Sequence, residues 1–335
     1  MSALPSREVR LAARPVGMPK ASDFEVADAP AAAPEAGQVQ VKNLWMSVDP
    51  YMRGRMYDRP SYVPPFQIGQ PLQGHALGQV VASADPSLAP GDLVLHMFGW
   101  REALTAPAAA FQKLNPRGLP PEAFLGVVGM PGMTAYAGLL EIGQPKPGET
   151  VFVSGGAGAV GSIVAQIAKI KGATVVATAG SDEKCAWLKS LGVDATVNYK
   201  TCGNLLAAVQ AAAPKGVDVY FDNVGGEHLE VALEVARPMA RFVECGMISQ
   251  YNSTGEPVGP RNLIYVVGKG LKIQGFIVSQ FAHLKDQFEA DMATWIGEGR
   301  IKWEETVKHG INEAAPAFLG LFTGANAGKM LVKLA

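Results

Sequence analysis

The stretch that most constrains this chain is Thr150–Gly161, TVFVSGGAGAVG. Val151-Phe152-Val153 is a β-branched and aromatic run that predicts a short buried strand. Gly156, Gly158 and Gly161 follow at G-x-G-x-x-G spacing, and Ser162–Lys171 then places Ile163, Val164, Ile167 and Ile170 at helical intervals. Strand, glycine turn and helix in that order make a pyrophosphate site for a physical reason. One glycine permits the sharp turn, a second lets the backbone approach the phosphates, and a third lets helix and strand pack closely. The unpaired N–H groups and positive dipole end of the helix then hold the anion. A glycine turn without a ligand is the competing reading. The strand–helix units that follow weigh against it.

Those units run on at regular intervals. Thr174–Thr178 is an apolar strand, and Ser181 is a plausible N-cap for a helix carrying Trp187, Leu188 and Leu191, closed by Gly192. Ala195–Tyr199 and Val217–Asp222 read as further strands, and Arg241–Ile248 follows a helix over Glu227–Ala236. Strands alternating with helices predict an α/β, doubly wound parallel sheet with its ligand at the carboxyl ends of the strands. Ser154-Gly155, Ala179-Gly180-Ser181, Asn198-Tyr199, Asn223 and Gly246 are expected to line that crevice.

The second strand end selects the dinucleotide. An NAD site places an acid about 20 residues beyond the glycine turn to bond the ribose 2′-hydroxyl. Here the strand ends Thr178-Ala179-Gly180-Ser181, with Lys184 close behind and Tyr199 ending the next strand. A lysine with serine and tyrosine hydroxyls suits a 2′-phosphate. The alternative is that Lys184 is a solvated helix charge, and Asp182 is positioned to oppose the phosphate.

Residues 1–124 differ in character. Short β-like runs (Gln38–Leu44, Ala76–Ser83, Asp92–Met97) are separated by Pro/Gly turns, which predicts a small antiparallel barrel. Ser47–Arg55, SVDPYMRGR, gathers Tyr51, Arg53 and Arg55 in an interrupted segment. A catalytic zinc needs three protein ligands, but no cysteine precedes Cys185. His75 and His96 therefore read as structural or supporting histidines, and no metal is expected.

A chain of 335 residues with 48% hydrophobic content can bury two cores. A net charge of −1 gives no nucleic-acid footprint. No run of about 18 apolar residues suggests a membrane span. The first residues lack an apolar signal core, and Cys185, Cys202 and Cys245 lack paired spacing, so a cytoplasmic setting is expected. Phe281–Gly299 reads as an amphipathic core helix, Trp303–Ile311 as a return strand, Ala314–Phe322 as a helix, and MLVKL as the last strand.

Several stretches together resemble the medium-chain dehydrogenase/reductase superfamily, in its zinc-independent, NADP-dependent branch of prostaglandin, alkenal and curcumin double-bond reductases. They are SVDPYMRGRM (47–56), GVVGMPGMTAYAGLLEIGQPKPGETVFVSGGAGAVGS (126–162), FDNVGGE (221–227), CGMISQYN (245–252) and LKIQGFIV (271–278). The resemblance implies a Rossmann domain (125–295) inserted in a GroES-like β-barrel catalytic domain (1–124 plus 296–335). It implies NADP(H) contacts at Gly158, Ala159, Val160, Gly161, Lys184, Tyr199 and Asn223. It extends them to Cys245, Gly246, Met247, Ile248, Ser249, Gln250 and Tyr251, to Phe276, Ile277 and Val278, and to Asn326. Where zinc-dependent relatives have Gly-His-Glu, this chain has Gly74-His75-Ala76. It further implies a homodimer joined through the edge strand near 272–278.

The implied reaction is NADPH-dependent reduction of the C=C bond of an α,β-unsaturated ketone or aldehyde. Hydride goes to the β-carbon, and hydrogen-bond donors hold the enolate. Tyr265 is the first candidate donor and Tyr51 the second, with cofactor ribose hydroxyls as alternatives. Tyr265 packed on an amphipathic helix, and Asn326 as an ordinary turn residue, are the competing structural readings. Tyr57, Tyr62, Phe66 and Tyr251, in the loops Met56–Phe66 and Met247–Asn262, suggest a roomy apolar substrate pocket. Quinone reduction shares the fold and cofactor, and a non-catalytic NADPH-binding role is the reading from another class.

Overall fold

The computed structural model describes residues 2–256 and 258–335. Pro257, within the expected pocket loop, lies outside the described residues. The chain divides into two compact units. One comprises the chain up to Leu125 with Glu305–Asn326 and Met330–Ala335, and the other Gly126–Glu304 with Ala327–Lys329. Residues 296–304 and 327–329, expected with the barrel, group with the parallel sheet.

The first unit is antiparallel. Its strands are β1 (Arg7–Leu11), β2 (Phe24–Asp28), β3 (Gln38–Ser47), β4 (Ala76–Ser83), β5 (Leu93–His96), β6 (Ala103–Pro107) and β7 (Gln112–Lys113), and a one-turn helix, α1 (Met52–Arg55), follows β3. The long strand β3 pairs with β4 on one side. On the other it pairs with β6 through its first half and with the last strand of the chain, β15 (Lys329–Lys333), through its second half. Val39, Val41, Val80, Val94 and Leu104 form one buried cluster, and Met46, Met52, Trp100 and Phe318 belong to another.

The second unit runs α2 (Met130–Ala137), β8 (Thr150–Val153), α3 (Gly161–Ile170), β9 (Thr174–Ala179), α4 (Asp182–Ser190), β10 (Ala195–Asn198) and α5 (Leu205–Ala212). It continues through β11 (Val217–Asp222), α6 (Glu227–Val235), β12 (Ala236–Glu244), α7 (Ile264–Lys269), β13 (Lys272–Gly275) and α8 (Lys285–Gly297). The chain then returns to the first unit as β14 (Glu305–His309) and α9 (Ala314–Thr323) before β15. The parallel sheet has the order β10-β9-β8-β11-β12-β13. Strand order therefore reverses between β8 and β11, and a doubly wound sheet opens its ligand crevice at such a switch point. The doubly wound α/β expectation holds. All four residues of β8 are buried, as a strand covered on both faces requires. Phe152, Tyr220 and Phe242 pack across β8, β11 and β12, the first pair tilted and the second edge-on, with ring centroids 5.0 and 5.4 Å apart. Leu205 and Val209 of α5 and Leu229 and Leu233 of α6 cover them.

Two local expectations change, and one helix is added. The strand read as Arg241–Ile248 starts at Ala236 and stops at Glu244, because the N–H groups of Cys245 and Gly246 turn to the Asp222 carbonyl, 3.0 Å each. The amphipathic helix begins at Lys285 rather than Phe281. Phe281 belongs to a preceding 3-10 turn and packs on Phe276 at 5.9 Å. Helix α5, which no periodic stripe announced, is capped by the Asn204 side chain accepting the Ala207 N–H at 2.8 Å.

The glycine turn is tied to the end of the chain. The Gly328 N–H donates to the Ala157 carbonyl at 2.9 Å, and the Gln166 side chain bonds both the N–H and the carbonyl of Lys302, each at 2.8 Å. Gly328 has φ +61°, and a Cβ there would lie 1.9 Å from the Glu304 carbonyl oxygen. Gly328→Ala should therefore destabilise the protein by about 2–4 kcal/mol, read by urea unfolding. An unchanged midpoint would mean that the backbone shifts freely here.

Candidate active site

The site in the parallel unit starts at the glycine turn. A Cβ on Gly156 would sit 2.8 Å from the Ala177 Cβ, and one on Gly161 would sit 2.4 Å from the Gly155 carbonyl oxygen. These two glycines answer to crowding between strand, turn and helix. Ala159, Val160 and Gly161 then lead into α3: the Ser162 and Ile163 N–H groups are taken by the Gly158 and Val160 carbonyls, while the N–H groups of Ala159, Val160 and Gly161 have no acceptor among the described residues. That cradle suits a pyrophosphate.

One buried carboxylate organises the neighbouring strand ends. Asp222 Oδ1 accepts four hydrogen bonds, each 2.8 Å, from the Ser154 and Tyr220 hydroxyls and from the N–H groups of Val224 and Gly225. The Ser154 hydroxyl oxygen in turn accepts the Asn223 N–H at 2.8 Å, and the Asn223 amide donates to the Ser154 carbonyl at 2.8 Å. The loop beyond β12 hangs from the same residues. Cys245 and Gly246 bond the Asp222 carbonyl, Ile248 bonds that of Asn223, and Ser249 bonds that of Val224 through its N–H and its hydroxyl. The Tyr251 hydroxyl closes the loop by accepting the Met247 N–H at 3.3 Å. Hydrogen bonds thus join Asn223 and Cys245–Tyr251 into one connected rim.

The second strand end is cationic. Ser181 caps α4, accepting the Lys184 N–H at 3.3 Å. The Asp182 carboxylate accepts the Asn198 side-chain amide at 2.7 Å, which gives the acid that threatened this subsite a neutral partner. Burial, and then the nearby Lys200 ammonium, lower the pKa of Lys184. A Cβ on Gly180 would lie 2.8 Å from the Tyr199 hydroxyl and 3.2 Å from Lys200 Cε. Tyr199 and Lys200 therefore lean together over the bare end of β9. The Tyr199 ring meets the buried His228 edge-on at 5.2 Å, and burial pushes that imidazole down to about 4. Sequence reasoning missed Lys200; the signal was its place next to Tyr199, on the strand end already singled out.

Other expected residues are dispersed. The Phe276 ring packs over Gly138, where a Cβ would lie 2.6 Å from it. Ile277 begins the 3-10 turn that holds Val278, its N–H donating to Gln280 Oε1 at 3.1 Å. The Tyr265 hydroxyl donates to Glu234 Oε1 of α6 at 3.0 Å, and Lys269 lies 4.5 Å over its ring. Tyr265 is therefore committed to the α6–α7 flank rather than joined to the strand-end rim.

In the antiparallel unit, the Tyr51 hydroxyl is buried and has no well-formed hydrogen bond. Burial, and then Asp49, raise its pKa, with Arg55 acting in the opposite sense, so it remains a protonated donor. The two arginines of the motif brace loops. Arg53 is buried and donates to the Gly17 carbonyl and the Tyr57 hydroxyl, 2.9 Å each. Arg55 donates to the Pro64 carbonyl at 2.9 Å and lies 4.0 Å over the Phe66 ring. Phe66 is thus core and Tyr57 is clamped, while Tyr62 is 62% exposed. Asn326 lies in the turn after α9, grouped with this unit. His96 is buried, accepts the Phe98 N–H at 3.1 Å and is pushed down to about 3 by burial. Among the described residues no three His, Cys, Asp or Glu side chains gather as a ligand set.

A Rossmann sheet with a phosphate cradle at its switch point, in one chain with an antiparallel unit, defines a dinucleotide-dependent oxidoreductase. Residues 7–114 match the N-terminal domain of oxidoreductase family, and residues 159–297 match the zinc-binding dehydrogenase family. The chain is 40% identical over 331 residues to the NADPH-dependent curcumin reductase of Escherichia coli (strain K12), covering 97% of this chain and 96% of that protein. It is 42% identical over 322 residues to the 2-alkenal reductase (NADP(+)-dependent) of Nicotiana tabacum, covering 94% of each. It superposes on the crystal structure of CurA in complex with NADPH from Vibrio vulnificus with a TM-score of 0.93 at 38% identity, covering 98% of this chain and 99% of that one. The chain belongs to the medium-chain dehydrogenase/reductase superfamily, in its zinc-independent branch of enone reductases.

Proposed function

We propose that this protein uses NADPH to reduce the C=C bond of hydrophobic α,β-unsaturated ketones or aldehydes, in the cytoplasm. The observation that carries the cofactor choice is the second strand end. Lys184, Lys200 and Tyr199 converge there, and Asp182 is bound to Asn198. The glycine cradle fits the pyrophosphate, and the rim of Asn223 and Cys245–Tyr251 fits the nicotinamide half. In this reading residues 125–295 bind the dinucleotide, Asn326 adds a cofactor contact, and the antiparallel unit supplies substrate contacts.

When bound, the nicotinamide supplies the hydride. The protein must then hold the negative charge that develops on the substrate carbonyl oxygen. An enolate is less basic than an alkoxide, so one or two preorganised hydroxyl donors suffice, each worth a few kcal/mol. Tyr51 is the stronger candidate, because its buried hydroxyl keeps its proton and lacks a well-formed partner, whereas Tyr265 would first have to leave Glu234. Tyr51→Phe should lower kcat by about 10- to 100-fold with NADPH affinity retained, and Tyr265→Phe should stay near wild type. The reverse ranking in steady-state kinetics would transfer the role to Tyr265.

NADPH oxidation with an aryl enone, with NADH in parallel and the product identified, tests the activity itself. The expected product is the saturated ketone. Lys184→Ala and Lys200→Ala should each raise the NADPH KM about tenfold or less while leaving NADH kinetics unchanged. An allylic alcohol product, or turnover of quinones alone, would replace the enone reading. Equal use of NADH by the wild type would overturn the cofactor choice.

A homodimer is part of the same proposal. Strand β13 is a sheet edge, and beside it Leu263, Ile264, Val267 and Met239 are 52%, 72%, 80% and 71% exposed. An open edge next to exposed aliphatic side chains fits a second copy of this chain. Ile264→Lys with Val267→Lys should convert a dimer to a monomer in analytical ultracentrifugation. A wild-type monomer would remove the proposal.

A further inference from the structure

Glu244 is the last residue of β12, and its register partner on β11 is Asp222. Register partners on parallel strands project from the same face of the sheet, so two carboxyl groups lie side by side. Asp222 Oδ1 is saturated by its four donors, while Asp222 Oδ2 and both Glu244 oxygens are buried without a hydrogen-bond donor. The titratable groups around the pair are Tyr220 on β11, Cys245 just beyond β12 and His228 on α6, and across from Glu244 β13 presents Gly275. Two cations of this region, Arg241 on β12 and Lys269 on α7, are occupied elsewhere. Arg241 pairs with Glu149, and the Lys269 ammonium donates to the carbonyls of Leu233 and Glu234. An uncompensated second carboxylate in this position would be costly. Protonation removes that cost, since a carboxylic acid gains the one O–H donor that Asp222 Oδ2 lacks.

We infer that Glu244 is a positioning residue held as a neutral carboxylic acid, whose O–H donates to Asp222 Oδ2 and keeps the Cys245–Tyr251 rim in the shape that binds NADPH. The inference rests on the NADPH reading above. When the proton leaves to solvent, two carboxylates oppose each other on adjacent strands, beneath backbone that hangs from Asp222 and Asn223. Affinity should fall as that happens. Burial, and then Asp222, push the Glu244 carboxyl up to about 8, which places the transition within reach of experiment.

The pH dependence has a definite sign. An acid that keeps its proton in the folded state up to about 8, and loses it near its ordinary value when unfolded, makes folding less favourable as pH rises between those values. Glu244→Gln keeps the shape and supplies an amide donor that does not titrate. Its unfolding midpoint without cofactor should exceed that of wild type by a margin that grows from pH 5 to pH 8 and then levels off. The NADPH Kd, read by calorimetry, should weaken about tenfold from pH 7 to pH 9 in wild type and stay flat in Glu244→Gln. Glu244→Met, of similar length but without a donor, should also be flat in pH and weaker than Glu244→Gln at pH 7. A Glu244→Gln profile that tracks wild type would overturn the inference, as would a wild-type profile with no pH dependence. Wild type that fails to bind NADPH at pH 7 would overturn the cofactor reading and the rim's role with it. The unfolding series separately decides whether the pair shares a proton.

Discussion

The buried Asp222 carboxylate is the interaction on which the strand-end crevice depends. A buried anion persists only if enough donors replace its lost water. Here the donors come from the end of β8, from β11 itself and from the turn into α6. Three pieces of chain that meet at the switch point are thereby fixed to one oxygen. The main chain of the same residues then suspends the loop beyond β12. The rim owes its shape to backbone bonds, which explains why residues as varied as Cys245, Met247 and Ser249 can line it.

At the other end of the crevice the logic is inverted. Like charges are brought together, Lys200 beside Lys184. Burial, and then the Lys200 ammonium, lower the hold of Lys184 on its proton, and Lys200 forms no ion pair among the described residues. A dianion would relieve that repulsion, while a bare ribose hydroxyl would not. Discrimination between the two nicotinamide dinucleotides would then arise from repulsion already present in the protein as much as from contacts made on binding.

How much was legible in the sequence follows the range of the forces involved. The glycine turn, the strand–helix alternation and the cap at Ser181 are set by neighbours within a few residues, and they were readable. The end of β12 was not, because Cys245 and Gly246 leave the ladder for a carbonyl on another strand. Asp182 looked hostile to phosphate until Asn198, sixteen positions on, was seen to bind it. The facing of Asp222 and Glu244 needs strand register, which no local pattern states. For Tyr265 the family likeness pointed to the substrate, and only the packing of α7 on α6 reveals its bond to Glu234.

The bonds from Gly328 to Ala157 and from Gln166 to Lys302 also bear on how the molecule is made. The parallel unit incorporates residues 302–304 and 327–329, and the antiparallel sheet needs β15 to flank β3. Each unit therefore closes only once residues 327–333 have been made. Early strands such as β3 must wait for a partner synthesised almost three hundred residues later. The nascent chain is thus committed to a long exposure of unfinished sheet edges until those residues arrive.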